Sequence, residues 1–272
     1  MSSGSRNRKS RRKQLDVSHQ KNWLTGRYAV MEALRAGRWL PDELYAVDDL
    51  PEELQSQLNQ LHRNHPCPLH IVSHERLTQL CHSSHHQGIA ARMRPYPYYP
   101  EIDLPRLIQS ASSPPLLLLC DRIQDTFNLG AILRCCDAMS VTAVVIGHRD
   151  QAGVTPQVAR SSSGAVNHVP IIRSDNLNTF VESLQKQQFL IAAASEKSPE
   201  DCWSQPLNAP LALIIGSEAH GVDDQLLQQC DLRLRIPMLG NVESLNAAVA
   251  TGILLYEIRR QQRSTSRSSA ID

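Results

Sequence analysis

The sequence predicts an α/β protein whose larger part is a parallel sheet with helices on both sides. From Leu116 to Arg260, short apolar runs alternate with segments whose apolar residues recur at helical spacing. This alternation is typical of a parallel sheet. The run from Leu116 to Asp121 is apolar up to its final acid, as expected of a strand buried on both faces.

The individual elements follow from the same periodicity. In the larger part, strands are predicted over residues 116–121, 141–146, 165–171, 190–194, 211–215 and 232–236. Helices are predicted from Asn128 and over residues 180–186 and 224–229, and a long amphipathic helix follows with Leu245, Val249, Gly252, Ile253 and Tyr256 at helical spacing. Upstream, strands over 44–47, 69–72 and 88–93 and helices over 28–35, 51–61 and 74–80 predict a small α/β domain.

Composition suggests the domain boundaries. Residues 1–20 are expected to be a disordered basic arm, 21–95 the small domain, 96–115 a Pro- and Tyr-containing linker, 116–262 the larger domain and 263–272 a disordered tail. The chain has a net charge of +1, although its first 13 residues contain no acid and several Lys and Arg residues. A basic arm on a mildly acidic body is typical of proteins that bind a polyanion such as RNA. A solubilising terminus is the alternative.

Several classes of protein are disfavoured. The longest apolar run, Leu116 to Cys120, is far too short to span a membrane, and no apolar signal segment begins the chain; we therefore expect a cytoplasmic protein. The seven cysteines form no CxxC pair, which favours inert thiols in a reducing compartment. His82, His85 and His86 beside Cys81 lack the separated ligand pairs of zinc sites, so no metal is expected.

Ligands of parallel α/β sheets bind outside the carboxyl ends of the strands, so functional residues are expected in the loops there. Three loops contain polar residues and glycines: NLGAILR with Asn128 and Arg134, GSEAHG with Gly216 and Glu218, and the stretch from Arg235 to the last helix. The fingerprints GxGxxG, GxxxxGK[ST] and GxSxG are absent, which disfavours dehydrogenases, P-loop enzymes and α/β-hydrolases.

The three loops resemble the three signature motifs of the SpoU (TrmH-like) branch of the SPOUT RNA ribose 2′-O-methyltransferases. The matching segments are NLGAILR, IIGSEAHGV and RIPMLGNVESLNAAVATGI, with SSSGAVNHVPI between the first two. The small domain resembles the family's L30e-like substrate-binding domain through LTGRYAVMEAL and HQGIAARM. Thr126-Phe127 and Ala247-Ala248 depart from the common pattern, which bears on the substrate more than on the activity.

The resemblance implies a C-terminal trefoil knot, S-adenosyl-L-methionine as methyl donor and a homodimer whose active site is shared between subunits. It implies these catalytic positions: Asn128, Arg134, Glu218, Ser244 and Asn246. It implies these donor-binding positions: Gly216, Ile236, Met238, Gly240 and Leu245. Glu218 as a surface acid and Asn246 as a helix cap are the alternatives.

The function expected from the resemblance is S-adenosylmethionine-dependent 2′-O-methylation of a guanosine in 23S rRNA. A guanidinium stays protonated at neutral pH, so we expect Arg134 to bind an RNA phosphate and stabilise the developing alkoxide rather than act as the base. The alternatives are a tRNA 2′-O-methyltransferase and a noncatalytic RNA-binding protein of the same fold. A nucleotide-binding oxidoreductase lacks its glycine fingerprint.

Overall fold

A computed structural model describes residues 22–111 and 113–268 of the chain. They form two compact units. The N-terminal unit comprises residues 22–97 and Val154–Asn167, and the C-terminal unit comprises residues 98–153 and 168–268. The expected basic arm and residues 269–272 of the expected tail lie outside the described residues.

The helices and strands are numbered here in chain order. The strands are β1 (Trp23–Thr25), β2 (Pro41–Val47), β3 (Leu69–Val72), β4 (Ile89–Met93), β5 (Leu116–Asp121), β6 (Ala143–Ile146), β7 (Ile171–Arg173), β8 (Leu190–Ala194), β9 (Leu211–Gly216) and β10 (Leu232–Leu234). The α-helices are α1 (Arg27–Ala36), α2 (Glu52–Asn64), α3 (His74–Cys81), α4 (Leu104–Gln109), α5 (Thr126–Ala138), α6 (Pro156–Ser161), α7 (Leu177–Lys186), α8 (Asp224–Gln229) and α9 (Ala247–Ser268). Short 3₁₀ helices cover Glu101–Asp103 and Ala165–Asn167.

The N-terminal unit contains a four-stranded sheet in the order β1-β4-β2-β3. Strands β2 and β3 run parallel, and β4 runs antiparallel to both β1 and β2. Helix α3 contributes Leu77 and Cys81 to an apolar cluster with Trp23, Val47 and Ala90. The sheet is therefore mixed.

His86 lies in this unit with only 3% of its surface exposed. Its Nδ1 accepts a hydrogen bond from the Gly88 backbone N–H at 3.0 Å, and its Nε2 lies 3.1 Å from the Thr78 hydroxyl. A ring nitrogen that accepts a hydrogen bond carries no proton, so the folded state holds the neutral imidazole. Burial lowers the pKa of His86, and the nearby His74 lowers it further.

We expect the N-terminal unit to lose stability as the pH falls below about 6.5, the ordinary pKa of histidine. Below that value the unfolded chain binds a proton that the folded His86 resists, so the free energy of unfolding decreases until the lowered folded-state pKa is passed. Urea unfolding at about pH 7.5 and about pH 5.5 measures the effect. His86→Gln should reduce the pH dependence, whereas the exposed His82→Gln should not; equal slopes for both variants would contradict this account.

The C-terminal unit contains a six-stranded sheet in the order β10-β8-β9-β5-β6-β7. Every neighbouring pair in it is parallel, and all six residues of β5 are buried. Because helices cover both faces of such a sheet, its central strands are apolar throughout. The predicted parallel α/β fold is confirmed; the knot stays a prediction.

The segment expected to be a linker contains helix α4. Leu104 and Leu107 of this helix are buried in the core of the C-terminal unit. The Tyr99 N–H donates to the Ile171 carbonyl at 2.8 Å. Proline and tyrosine mark turns in this segment, but they do not prevent a short helix from packing between those turns.

The strand predicted over residues 165–171 is wrong. Gly164 has a φ of +90°, Ala165–Asn167 forms a 3₁₀ helix, and β7 begins only at Ile171. Helix α6, which was not predicted, begins at Pro156 after Thr155, whose hydroxyl accepts from the Val158 N–H at 3.4 Å. A short apolar run does not distinguish a strand from a buried helical turn. Here residues 165–167 are buried and belong to the N-terminal unit.

Helix α9 buries a different face from the apolar stripe seen in the sequence. Leu254, Leu255 and Ile258 are fully buried, whereas Val249 is 51% exposed and Tyr256 is 62% exposed. The helix packs against α5, where Gly252 lies against the Cys135 side chain. A Cβ at position 252 would be 3.3 Å from the Cys135 sulfur, so glycine permits close packing of the two helices. None of the helices in the described residues has the length and apolarity needed to cross a membrane.

Candidate active site

The carboxyl ends of the two central strands, β5 and β9, place two of the predicted loops side by side. The strands pair in register from Leu116 with Leu211 to Asp121 with Gly216. The loop after β5 leads into α5, and the loop after β9 contains Glu218. Because both strands point the same way, both loops emerge at the same edge of the sheet.

Asn128, Glu218 and Asn246 form a hydrogen-bonded cluster, here called the polar triad. Asn128 Nδ2 donates to Glu218 Oε1 at 3.1 Å, and Asn246 Nδ2 donates to Asn128 Oδ1 at 2.9 Å. Asn246 Nδ2 also donates to Glu218 Oε1, and the Ala247 N–H donates to the same oxygen at 3.3 Å. The three loops that the sequence singled out therefore meet at one carboxylate.

Asn246 also caps helix α9. Its Oδ1 accepts hydrogen bonds from the N–H groups of Ala248 at 2.9 Å and Val249 at 3.3 Å. These N–H groups lie in the first turn of the helix and have no partner within it. The Asn246 side chain thus accepts hydrogen bonds from the helix terminus with its oxygen and donates within the polar triad with its nitrogen. Capping and a role in the site are therefore compatible.

Gly216 ends β9 at a point where the chain folds back on itself. A Cβ there would lie 2.0 Å from the Gly221 carbonyl carbon and 2.2 Å from the Val222 nitrogen. The turn is closed by the Gly221 N–H, which donates to the Ser217 carbonyl at 2.8 Å. Any side chain at position 216 would therefore displace the loop that carries Glu218. The need for glycine at this position is explained by the fold alone, without a ligand.

Arg122 is a residue of the site that the sequence analysis did not predict. It follows β5 with a φ of +59°, a left-handed conformation that is uncommon for residues other than glycine. Its Nη2 donates to Asp121 Oδ2 at 3.0 Å and lies 3.4 Å from the Gly221 carbonyl oxygen, and Asp121 Oδ2 accepts from the Asp223 N–H at 2.8 Å. Arg122 and Asp121 thus connect the end of β5 to Gly221 and Asp223, at the C-terminal end of the turn that contains Glu218.

We expect Arg122→Gly to lower kcat/KM for the methyl transfer that the sequence leads us to expect by about tenfold, because Gly221 loses its contact with the Arg122 guanidinium. Glycine adopts a positive φ without strain, so the variant removes the guanidinium and keeps the backbone. Asp150→Gly is the matched control, because Asp150 also has a positive φ of +52°. Wild-type kcat/KM in Arg122→Gly would show that the link does not position the turn.

Arg134 lies on α5 but away from the polar triad. It is exposed, and within the described residues its side chain forms no hydrogen bond or ion pair. Six residues along an α-helix separate it from Asn128, which corresponds to about 9 Å along the axis and about 240° around it. Ser244 is also exposed. Within one chain, the structure therefore brings together three of the five predicted catalytic residues.

The predicted donor-binding residues after β10 lie in the loop of residues 235–246. Ile236, Met238 and Leu245 are half-buried and Gly240 is exposed. Apart from its chain neighbours, no heavy atom of the described residues lies within 4 Å of the position where Gly240 would carry a Cβ. A partly apolar loop with open main chain at Gly240 fits a nucleoside, which needs apolar contact and a few backbone hydrogen bonds.

The cysteines do not provide a nucleophile at this site. All seven are free thiols, and burial raises the pKa of Cys120 to about 12. Burial also raises the pKa of Cys135, the thiol on α5 next to Arg134. Within residues 22–111 and 113–268, no group of His, Cys, Asp or Glu side chains is arranged to hold a metal ion.

Similar proteins share both units of this chain. The model of the SpoU rRNA Methylase family matches residues 115–256, and the model described as RNA 2′-O ribose methyltransferase substrate binding matches residues 23–99. YacO of Bacillus subtilis, assigned to the TrmH family of tRNA/rRNA methyltransferases, is 32% identical over 90% of this chain and 98% of its own length. The 23S rRNA (guanosine-2′-O-)-methyltransferase RlmB of Pseudomonas putida is 35% identical over 65% of this chain and 72% of its own length.

A solved structure has the same fold. The AdoMet-bound rRNA methyltransferase of Sinorhizobium meliloti superposes with a TM-score of 0.75 and 23% identity, over 92% of this chain and 90% of that one. The family match covers more than half of the chain and includes all three loops of the site. The chain therefore belongs to the SpoU rRNA methylase family of RNA ribose 2′-O-methyltransferases.

Proposed function

We propose that this enzyme methylates the ribose 2′-hydroxyl of a guanosine in 23S rRNA, with S-adenosyl-L-methionine as the methyl donor, in the cytoplasm. The observation that carries the proposal is the polar triad, which joins three loops at the carboxyl ends of the central strands. The RNA target is supported by the similarity to RlmB. The donor is supported by the AdoMet-bound neighbour, which has the same fold.

Five residues are proposed to hold the donor: Gly216, Ile236, Met238, Gly240 and Leu245. The open main chain at Gly240 and the half-buried apolar side chains beside it suit an adenosine and a methionine chain. When bound, S-adenosylmethionine supplies a sulfonium methyl group that is open to in-line attack. The polar triad holds its three loops at a fixed separation, which orients whatever those loops bind.

Arg134 is proposed to bind an RNA phosphate and stabilise the alkoxide that develops as the 2′-hydroxyl loses its proton. Its exposure leaves its donors available to such a ligand. Because the guanidinium stays protonated at neutral pH, the proton passes to the phosphate or to water. Ser244, exposed two residues before Asn246, is proposed to contact the ribose.

A homodimer is proposed as the active form. Within one chain Arg134 does not face the polar triad, so a complete site requires another copy to supply it. The exposed face of α9, formed by Val249, Ile253 and Tyr256, is apolar and lies on the helix that begins at the triad. A second copy that covers this face would bury apolar area and bring a second α5 close to the first site.

Ile253→Glu should convert the dimer to a monomer and abolish methyl transfer together. The charge would lie in the centre of the buried interface without a partner, which is strongly unfavourable. Sedimentation of the wild-type protein and the variant measures the oligomeric state. Glu182→Gln on the surface of α7 serves as a control that changes charge elsewhere. A wild-type protein that sediments as a monomer and is active would contradict the proposal.

The function is tested by incubating the protein with labelled S-adenosylmethionine and either 23S rRNA or tRNA transcripts. Label is expected in 23S rRNA, at a ribose that resists alkaline cleavage and belongs to a guanosine. Label confined to tRNA would overturn the choice of target. Binding of RNA without transfer of label to any RNA would favour the noncatalytic alternative.

A further inference from the structure

Four exposed side chains on the N-terminal unit form a group here called the Arg27 surface: Arg27, Tyr28, Gln87 and Arg160. The Arg27 guanidinium lies 4.7 Å from the centre of the Tyr28 ring and donates to its hydroxyl at 2.9 Å. The Arg27 N–H donates to Gln87 Oε1 at 3.2 Å. Arg160 Nη1 donates to the hydroxyl of Thr25, two residues before Arg27, at 3.0 Å. Three separate segments of the chain therefore contribute to one patch.

Among the described residues, neither arginine of this surface is paired with a carboxylate. Arg35, Arg92 and Arg94 each form an ion pair with an acid, at distances of 3.6, 2.5 and 3.0 Å. Partial burial lowers the pKa of Arg160, as expected of a cation that loses water without gaining a counter-ion. The Arg27 surface is thus a site of uncompensated positive charge that suits an anionic ligand.

Tyr28 adds an aromatic ring to this positive surface. The residue is 69% exposed, so its ring contributes little to the core. An exposed aromatic ring beside arginines is the combination that binds unpaired nucleotides: the bases stack on the ring, and the cations contact the phosphates. A phosphate alone would require the arginines but not the tyrosine.

We propose that the Arg27 surface binds single-stranded RNA, with an unpaired base stacked on Tyr28 and the adjacent phosphates bound by Arg27 and Arg160. Gln87, whose carbonyl oxygen holds the Arg27 backbone, orients the start of α1. The inference rests on the proposed RNA substrate and names the place where that RNA contacts the N-terminal unit. It also assigns part of this contact to Arg160, which lies outside the matched substrate-binding segment of residues 23–99.

The surface is tested by direct binding of a 23S rRNA transcript to the full-length protein, with no methyl donor present. Tyr28→Ala should weaken binding by about 5- to 100-fold, the range observed for the loss of one base–aromatic stack, and Tyr28→Phe should bind nearly as the wild type does. Arg27→Gln and Arg160→Gln should each reduce the slope of log affinity against log salt by about 0.7, the loss of one phosphate contact on a single strand.

Arg35→Gln is the matched control, because it removes the same charge from the same helix α1 at an arginine paired with Glu32. Wild-type affinity and salt slope in Tyr28→Ala, Arg27→Gln and Arg160→Gln would overturn the inference, as would an equal loss in Arg35→Gln. Melting temperatures of the variants exclude unfolding as the cause. Binding is measured without methyl transfer. A protein that binds RNA through this surface but transfers no methyl group would therefore refute the proposed function and still support the RNA-binding surface.

Discussion

Replacing Arg134 by alanine should reduce methyl transfer to RNA by about 100- to 1,000-fold, the effect of removing one preorganised donor from a developing oxyanion. The affinity for S-adenosylmethionine should stay within about threefold of the wild-type value, because the donor loops lie elsewhere in the chain. Single-turnover rates measure the chemical step, and calorimetry measures donor binding. A loss of rate with unchanged donor affinity would place Arg134 at the reacting ribose or its phosphate.

The conservative variant Arg134→Lys separates charge from geometry. A lysine keeps the positive charge but cannot donate through two parallel N–H groups, so we expect it to restore only a small part of the rate. Arg106→Ala, on α4 of the same unit, removes another exposed arginine, one that is paired with Asp103 at 3.5 Å, and should leave the rate unchanged. Full activity of Arg134→Ala would refute the role proposed for this side chain.

Replacing Arg259 by methionine should destabilise the C-terminal unit by about 3 kcal/mol or more, because several buried acceptors would lose their donor. Arg259 is only 8% exposed. Its Nε donates to the Met139 carbonyl at 2.8 Å, its Nη2 to the Ser140 carbonyl at 2.6 Å and its Nη1 to the Pro114 carbonyl at 2.8 Å. Met139 and Ser140 follow the last turn of α5, so this side chain stabilises the carboxyl end of that helix from α9.

Denaturant unfolding of the variant measures the loss, and Arg106→Met provides the comparison. Arg106 lies on α4 of the same unit, and its exposed guanidinium pairs with the solvent-accessible Asp103 at 3.5 Å. Exposed pairs contribute little because water competes for both charges, so the change in this control should be much smaller. Equal destabilisation of the two variants would show that the hydrogen bonds from Arg259 to the carbonyls add nothing to the free energy of unfolding.

Much of the C-terminal unit could be predicted from local pattern. The bounds of β5, β8 and α8 agree with the sequence prediction to the residue, and the two strands are recognised because buried parallel strands are continuous apolar runs. The parallel order also predicted that the loops with Asn128, Glu218 and Asn246 emerge at one edge of the sheet. It did not predict that the loop after β10, an edge strand, reaches Glu218. The roles of the site residues in donor binding and catalysis stay predictions.

Other features depend on contacts between residues far apart in the chain. The positive φ of Arg122 is stabilised by Asp121 and the turn at Gly221, and no local signal marks it. The exposed face of α9 contains the most regular apolar spacing of the helix, while its buried face includes Arg259, whose charge is satisfied by distant carbonyls. Periodicity in the sequence shows where apolar residues recur, but it does not show which face of the helix packs against another element.

The sequence by itself thus determined the α/β class, the order of most elements and the three loops of the site, because each depends on short-range pattern and on the direction of parallel strands. Only the tertiary structure decided that Asn246 both caps α9 and binds Glu218, and that Val154–Asn167 packs with the N-terminal unit and brings Arg160 into contact with Thr25. The physical reason is that hydrogen bonds and ion pairs are short-ranged, so they form only after folding has brought distant segments within about 3 Å of each other.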